Sequence, residues 1–578
     1  MSESTAGPLG SSESEKTILG HPRGLLILFL TEMWERFSYY GMRGLLIIYL
    51  TQHFLMSDER SSVIYGAYTA LVYVMTIIGG TLADRYLGSR KAVTYGALLL
   101  VLGHFGMAFE GEGSKELITY QGVDYQLTLD GRGGDAQRIL VGPSGESTID
   151  FSADGSELYI EDSDIGLPSA VTLADVDRRI VPDETYQQVL YLSLALIIAG
   201  VGFLKANIST IVGALYGEGD PRRDSGFTIF YMGINLGAFL ASIACGYLGI
   251  TYGWKYGFGL AGIGMLLGLV IFLSFISWLD GKAEPPDPAK LKEKVFGFVT
   301  VELACYLSGL LIIAVAMFFV MNPDGFADVI GFFGIAMFIY LVYYAFTACE
   351  GIERDRMLAA IYFVLAQIPF WALFEQAGSS LNLFTDRLVD RTMLGLTVPA
   401  PVFQSLNAGF IFIFAPLMAV LWVALAKRNL NPSTPVKFAI GVFLAGLGFL
   451  ALVGGMQASG SDGLTAVYFV FLIYWVHTMG ELMVSPVGLS AVTKMAPARV
   501  VGMTMGAWFL YSGLSNFLAG VIARNTGAET IGGQLANVAA AKAGYAEVYS
   551  NVGYVAMAIA AFMLLISPII KRLMHEAN

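Results

Sequence analysis

The chain has 578 residues, of which 55% are hydrophobic and only 14% charged, with a mean hydropathy of +0.63 and a formal net charge of −12. A soluble domain carries about a quarter of its residues as charges, so a soluble enzyme or a nucleic-acid-binding module is excluded. Apolar runs of about 20 residues recur along most of the length and imply a polytopic helical membrane protein. The 67 glycines suit close helix packing in lipid. Cys245, Cys305 and Cys349 all fall in apolar runs and form no disulfide framework, and the five histidines lack metal-ligand spacing.

In chain order, a polar tail (1–23) leads into apolar segments read as helices at about 24–53, 61–83, 91–110, 187–214, 225–250, 254–279, 296–321, 328–349, 357–382, 403–426, 436–457, 463–490, 499–523 and 545–571, which makes 14 spans. The tail lacks the basic start and cleavage site of a signal peptide, so the first span reads as an uncleaved anchor. A cytoplasmic N-terminus puts about 20 of the 34 basic residues in inside segments such as DRYLGSRK, EGDPRRD and AKRNLNPSTPVK, as the positive-inside rule requires. The even span count returns the C-terminus to the same side.

Residues 111–186, between spans 3 and 4, break the pattern. Strand-like runs (ELITY, VDYQLTL, RILV, STIDF, ELYIE) alternate with the turns DGRGG, GPSG and ADG. From Glu110 to Glu184 there are 17 acids against five bases, a surplus equal to the net charge of the whole chain. The stretch reads as a small β domain on the outer face, a solubilising or protective appendage in preference to a docking module.

The first span carries Glu32, Glu35, Arg36 and Arg43 within TEMWERFSYYGMRGLLIIYL. On a helix these and Tyr39 fall within an arc of roughly 100°. Ionised groups at membrane depth must face protein or water, so the stripe is a functional-site candidate; an ion-pair seam between two helices is the plainer alternative. Other spans add Lys205, Glu375 and Glu481. Away from helix ends the spans thus bury four acids and three bases, and one bound proton neutralises the set.

GGTLADRYLGSRK, ending at Lys91, resembles the signature loop of the major facilitator superfamily, in which Asp84, Arg85, Arg90 and Lys91 would latch neighbouring helix ends during switching. ExxERFxYYG (Glu32–Gly41), GFLKANIS around Lys205, FTIFYMGINLGA around Asn235, FWALFEQAGSSLN around Glu375, FQSLNAGFIFIFAP around Asn407 and GELMVSPVGLS around Glu481 follow in order. Together they resemble the bacterial type of the proton-dependent oligopeptide transporter (POT) family of that superfamily. The resemblance covers nearly all of the chain except the tail and 111–186. It implies an all-α major facilitator fold of two six-helix bundles, 24–279 and 357–571, with an extra helix pair at 296–349 and the β-rich insertion outside. It also implies a monomer in the bacterial inner membrane, both termini cytoplasmic and 111–186 periplasmic, that is not an enzyme and uses no cofactor beyond protons as coupling ion.

On the matching positions, the resemblance implies proton-coupled symport of di- and tripeptides by alternating access. Arg36, Lys205 and Tyr40 would hold the peptide carboxylate, arginine being able to grip it bidentately. Asn235, Asn407 and Glu481 would take the amine. Tyr39, Tyr73, Trp371, Trp508 and Ser512 match pocket positions, although aromatics this abundant also read as packing or interface anchors. Arg43 with Glu375 would close the outer side, and Lys205 with Glu481 the inner side. Protons are left to Glu32, Glu35 and Glu375, because animal members carry a histidine early in helix 2 where this chain has Gly66. Glu375 follows Phe374, where some bacterial relatives have two adjacent acids. His477, one turn before Glu481, reads as packing, and Pro416 and Pro486 mark bends. The rivals are a carrier of nitrate or another small anion, which has little use for an amine site, and a nutrient sensor, which would need effector segments not seen here.

Overall fold

The computed structural model describes residues 17–130, 136–152, 155–161, 165–217, 219–461 and 463–575. Residues 1–16 of the expected tail, most of the DGRGG and ADG turns, Glu218 of EGDPRRD and the last three residues lie outside them. The helices are α1 (Gly24–Gln52), α2 (Asp58–Leu82), α3 (Gly88–Met107), α4 (Glu184–Ala214), α5 (Arg223–Thr251), α6 (Trp254–Ser274), α7 (Val301–Met321), α8 (Pro323–Thr347), α9 (Gly351–Phe374), α10 (Ser380–Leu388), α11 (Ser405–Lys427), α12 (Thr434–Ala458), α13 (Tyr468–Met495), α14 (Val501–Arg524) and α15 (Val538–Leu573). Among the described residues, 12 stretches are long and apolar enough to cross a membrane. One of them, Asp58–Met107, holds both α2 and α3, and α1 is not among the twelve. The expected 14 rests on separating α3 and adding α1, whose charges lower its apolarity. The chain is a multi-pass membrane protein.

Local chemistry sets several boundaries. Ser57 Oγ accepts the Arg60 N–H (3.2 Å) and starts α2 ahead of the apolar run. Asn537 Oδ1 accepts the Ala540 N–H (2.8 Å), so α15 begins at Val538, two turns before the expected 545. The expected helix 357–382 divides. A 3-10 turn at Glu375–Gly378 follows α9, and Ser379 leaves helical geometry (φ −122°, ψ −102°) before α10 resumes. Helices α11 and α13 are continuous through Pro416 and Pro486.

Two hydrophobic cores form, one built mainly by α1–α7 and one by α8–α15. The halves meet where α2 crosses α14 and α5 crosses α11. At the first crossing a Cβ on Gly66 would lie 2.9 Å from the Gly520 Cα. Backbones this close admit no side chain, which is why the position of the animal histidine is glycine here. Helix α7 packs on α4 and α2, while α8 packs on α14 and α9, so the extra pair touches both halves.

The signature segment is not a loop. A π-helical turn at Ala83–Leu87 joins α2 directly to α3. Gly88 sits at φ +71°, and a Cβ there would approach the Pro285 nitrogen to 2.5 Å. Arg90 reaches Glu284 (2.8 Å) and Lys91 reaches Glu302 of α7 (2.5 Å), whereas Asp84 and Arg85 are exposed.

The insertion is one antiparallel sheet of seven strands: β1 (Lys115–Tyr120), β2 (Val123–Asp130), β3 (Gln137–Gly142), β4 (Gly145–Phe151), β5 (Glu157–Ile160), β6 (Ala170–Thr172) and β7 (Asp177–Val181). The spatial order is β6-β5-β4-β3-β2-β1-β7. Alternation along the strands buries Ile118, Tyr125, Leu127, Leu140, Ile149 and Leu158. Strands β6 and β7 carry no strand signal in the sequence. The first is three residues long, and the second, DRRIV, is mostly charged.

Candidate functional site: a charged cavity between the halves

A cavity of about 350 Å³ lies between the two halves. Its lining takes in Glu32, Arg36, Tyr40 and Arg43 of α1, Tyr73 of α2, Lys205 of α4 and Asn235 of α5. From the other half come Trp371, Glu375, Asn407, Glu481, Trp508 and Ser512. The sequence expectation is met at all of these positions but not at Glu35 or Tyr39, which stand behind the wall. Glu35 is fully buried and clasps the Arg36 guanidinium with both oxygens, at 2.6 Å from Nη2 and shorter from Nε. Glu32 reaches the same guanidinium at 3.4 Å. The Tyr39 ring lies under that guanidinium (5.0 Å to the centroid) and stacks against Tyr68. Arg36 is thus pinned from behind, with its remaining face toward the cavity.

The two expected gates are in opposite states. Arg43 pairs with Glu375, both buried, and its Nε donates to the Tyr65 hydroxyl (2.6 Å). Lys205 and Glu481 are not paired. The Lys205 ammonium sits over the Tyr73 ring, 4.4 Å from the centroid. Glu481 accepts the Asn407 amide (2.7 Å), which also donates to Thr478 Oγ1 (3.1 Å). Asn235 donates to the Tyr231 carbonyl (3.1 Å), leaving its oxygen toward the cavity. Ser512 donates to the Trp508 carbonyl (2.9 Å). His477 is buried against Phe449, with Nε2 3.0 Å from the Ala445 carbonyl oxygen rather than on Glu481.

Residues that sequence reading missed complete the closure beside Arg43. Asn382 donates to the Gly44 carbonyl (2.9 Å), Gln52 to Asp386 (2.8 Å), and Arg387 to Asp58 (2.7 Å). Asp58 and Arg387 are 2% and 5% exposed by side chain. Only their charge signals them, and an acid at a helix start reads as an ordinary dipole partner. Tyr231, Gln404, Tyr474 and Asn516 also line the cavity without having been singled out. Among the described residues, the side-chain hydrogen bonds and ion pairs found between the halves all lie on the side of the insertion. Toward the opposite side the lining runs on through Ser485 to Leu489, which is 42% exposed. The cavity is sealed on the insertion side and extends toward the other.

Fold and site together define a multi-pass membrane protein of two helical halves around a charged central cavity. The family model described as the POT family matches residues 90–538, and the chain belongs to this family. It is 34% identical over 576 residues to the uncharacterized transporter YclF of Bacillus subtilis (strain 168), covering 97% of each. It is 32% identical to the peptide transporter YePEPT of Yersinia enterocolitica (92% of each chain) and 30% identical to the dipeptide and tripeptide permease A of Erwinia pyrifoliae (96% of this chain, 95% of that one). A crystal structure of peptide transporter POT in complex with sulfate aligns with a TM-score of 0.72 at 33% identity, over 97% of both chains.

Proposed function

We propose that this protein carries di- and tripeptides into the cell together with protons, by alternating access and with no covalent chemistry. The observation that carries the reading is a cavity with cations on one half and an acid–amide cluster on the other, sealed on one side only. A short peptide is a zwitterion whose ends match those walls. Arg36, Lys205 and Tyr40 face its carboxylate, and Glu481, Asn407 and Asn235 its amine. A volume of about 350 Å³ is at the small end for ligand pockets and suits two or three residues rather than longer peptides. The names of the relatives support the same substrate class. The walls given by Tyr73, Trp371 and Trp508 supply apolar, adaptable contact for varied side chains.

Glu32, Glu35 and Glu375 are the proton carriers in this reading. Glu375 holds Arg43 across the halves, so protonating it removes the charge that keeps the insertion side shut. Lys205 and Glu481 close the other side in the alternate state, and a peptide amine on Glu481 competes with that closure. The insertion side is then periplasmic, both termini are cytoplasmic, and the protein works as a monomer with 14 spans in a bacterial inner membrane. The test is uptake of labelled dialanine into proteoliposomes under an inward proton gradient, with di-, tri- and tetrapeptides and nitrate as competitors. Uptake indifferent to both gradient and protonophore would refute symport. Glu32→Gln, Glu35→Gln and Glu375→Gln should abolish uphill uptake, with peptide counterflow surviving in some. Uphill transport unchanged in all three would refute the proton assignment.

A further inference from the structure

The insertion is tethered to the first half at both ends, following α3 and preceding α4. Its base is fixed there as well. The Ser114 N–H donates to the His53 carbonyl (3.0 Å), and Glu110 accepts the Lys255 N–H at the start of α6 (2.7 Å). Its other contacts go to the second half. Between α14 and α15 the chain makes a small hairpin, β8 (Thr530–Ile531) and β9 (Gln534–Leu535). Ile531 at its turn is fully buried and belongs to the hydrophobic core of the insertion, alongside Ile118, Tyr125 and Leu127. Polar bonds surround it. Glu116 of β1 accepts the Gly532 N–H (2.7 Å), Arg178 of β7 pairs with Glu529 (2.5 Å), and Arg138 of β3 donates to the Leu535 carbonyl (3.1 Å). Beneath the hairpin, a Cβ on Gly533 would lie 3.1 Å from the Thr51 carbonyl oxygen at the end of α1.

An appendage would contact its own half and present its core to itself. This domain instead completes its core with a side chain from the opposite half. We infer that the insertion is a latch: it clamps the second half through the 525–537 hairpin, and the hairpin must withdraw from it each time the cavity opens on that side. The inference rests on the alternating-access reading above. The area lost on withdrawal is small, one isoleucine and three polar bonds, as a contact remade in every cycle requires. The expected consequence of weakening it is easier opening on the insertion side, and the consequence of fixing it is arrest.

The experiment uses Arg178→Cys/Glu529→Cys, both partly exposed on the insertion surface, and a short bis-methanethiosulfonate linker. The three native cysteines are buried. In proteoliposomes, linking the halves should lower dialanine uptake at least tenfold, and reductant should restore it. Complete cross-linking with undiminished uptake overturns the latch. A second readout does not depend on transport. Thr51→Cys lies beneath the hairpin at a position 1% exposed, and an impermeant maleimide should label it several-fold faster in an Ile531→Asp background. Equal labelling rates overturn the latch even if no uptake is found in the parent protein, a failure that would count against the transport reading alone.

Discussion

The buried Asp58–Arg387 pair offers the sharpest test of how the insertion side stays shut. Asp58→Asn keeps the side-chain volume and can still accept the Ala528 N–H (3.1 Å), but it leaves Arg387 as a cation with no direct partner in a site only 5% exposed. Removing one member of a buried pair costs about 3–5 kcal/mol. The penalty falls on the closed arrangement, since opening hydrates Arg387. Asp386 is adjacent, bonded to Gln52 and 3.4 Å from Arg391, and its field offsets part of the loss, so we take about 3 kcal/mol, roughly a hundredfold in the closed-to-open ratio. Double electron–electron resonance reads this out. Nitroxides at Tyr252→Cys and Leu394→Cys sit at exposed positions, 60% and 103%, on the insertion side of opposite halves. The single variant should move population to longer distances, and Asp58→Asn/Arg387→Gln, which removes the orphaned charge, should move it back. If single and double variants give the same distribution, buried charge is not what the closure balances, and the reasoning fails.

Three further outcomes follow from the same geometry. Gly66→His forces a side chain against the Gly520 backbone, 2.9 Å from its Cα, and should destabilise the α2–α14 crossing by about 1–3 kcal/mol or more, seen as a lowered melting temperature in detergent with a smaller loss for Gly66→Ala. Gly88→Ala combines a φ of +71° with a 2.5 Å approach to the Pro285 nitrogen and should cost about 1–3 kcal/mol in the same assay. In the insertion, burial holds the Glu116 carboxyl above the usual carboxylate range. Glu529 adds to the rise, while the Gly532 N–H, Arg178 and Arg138 oppose it. The folded domain therefore binds that proton more tightly than the unfolded chain. Its contribution is present below the ordinary carboxylate value of about 4.3 and is lost as pH rises through the raised one. Thermal unfolding from pH 4 to 8 should show that loss, and Glu116→Gln should remove it.

What the sequence discloses here, and what it withholds, follows physical lines. Glu32, Arg36, Arg43, Lys205, Glu375 and Glu481 stand out because an ionised side chain in an apolar run has few tolerable surroundings, and all six line one cavity. Their pairing is another matter. Lys205 lies over Tyr73 while Glu481 takes Asn407, a fact about which of two arrangements is populated and not about residue type. The arc that groups Glu32 with Glu35 cannot tell them apart, yet the rotation of α1 puts one in the wall and the other behind Arg36. Asp58 and Arg387 escaped because each sits at a helix end, where charge is commonplace. The turn at Glu375–Gly378 escaped because FWALFEQAGSSLN has no proline after Pro369 to mark it; the crowding of Gly378 against the Tyr65 hydroxyl is a tertiary contact.

The distribution of contacts also constrains the energetics of switching. A carrier alternates only if its two closed arrangements lie within a few kcal/mol of each other. The insertion side is held by several layers, from Arg43–Glu375 through Asn382, Gln52 and Arg387 to the hairpin in the β domain. A stack of strong, independent bonds would trap the protein there. Most of these layers are ionic or polar and partly or wholly buried, so the desolvation on forming them nearly offsets their attraction. Their net worth is therefore small while their geometric specificity is high, and a single proton on Glu375 has leverage over the whole stack. The one substantial apolar element, Ile531, lies at the outer edge, where it adds closure that does not titrate. A stack built this way opens when its innermost charge is neutralised, which links the proton-sensitive residue beside the cavity to a domain that never touches the substrate.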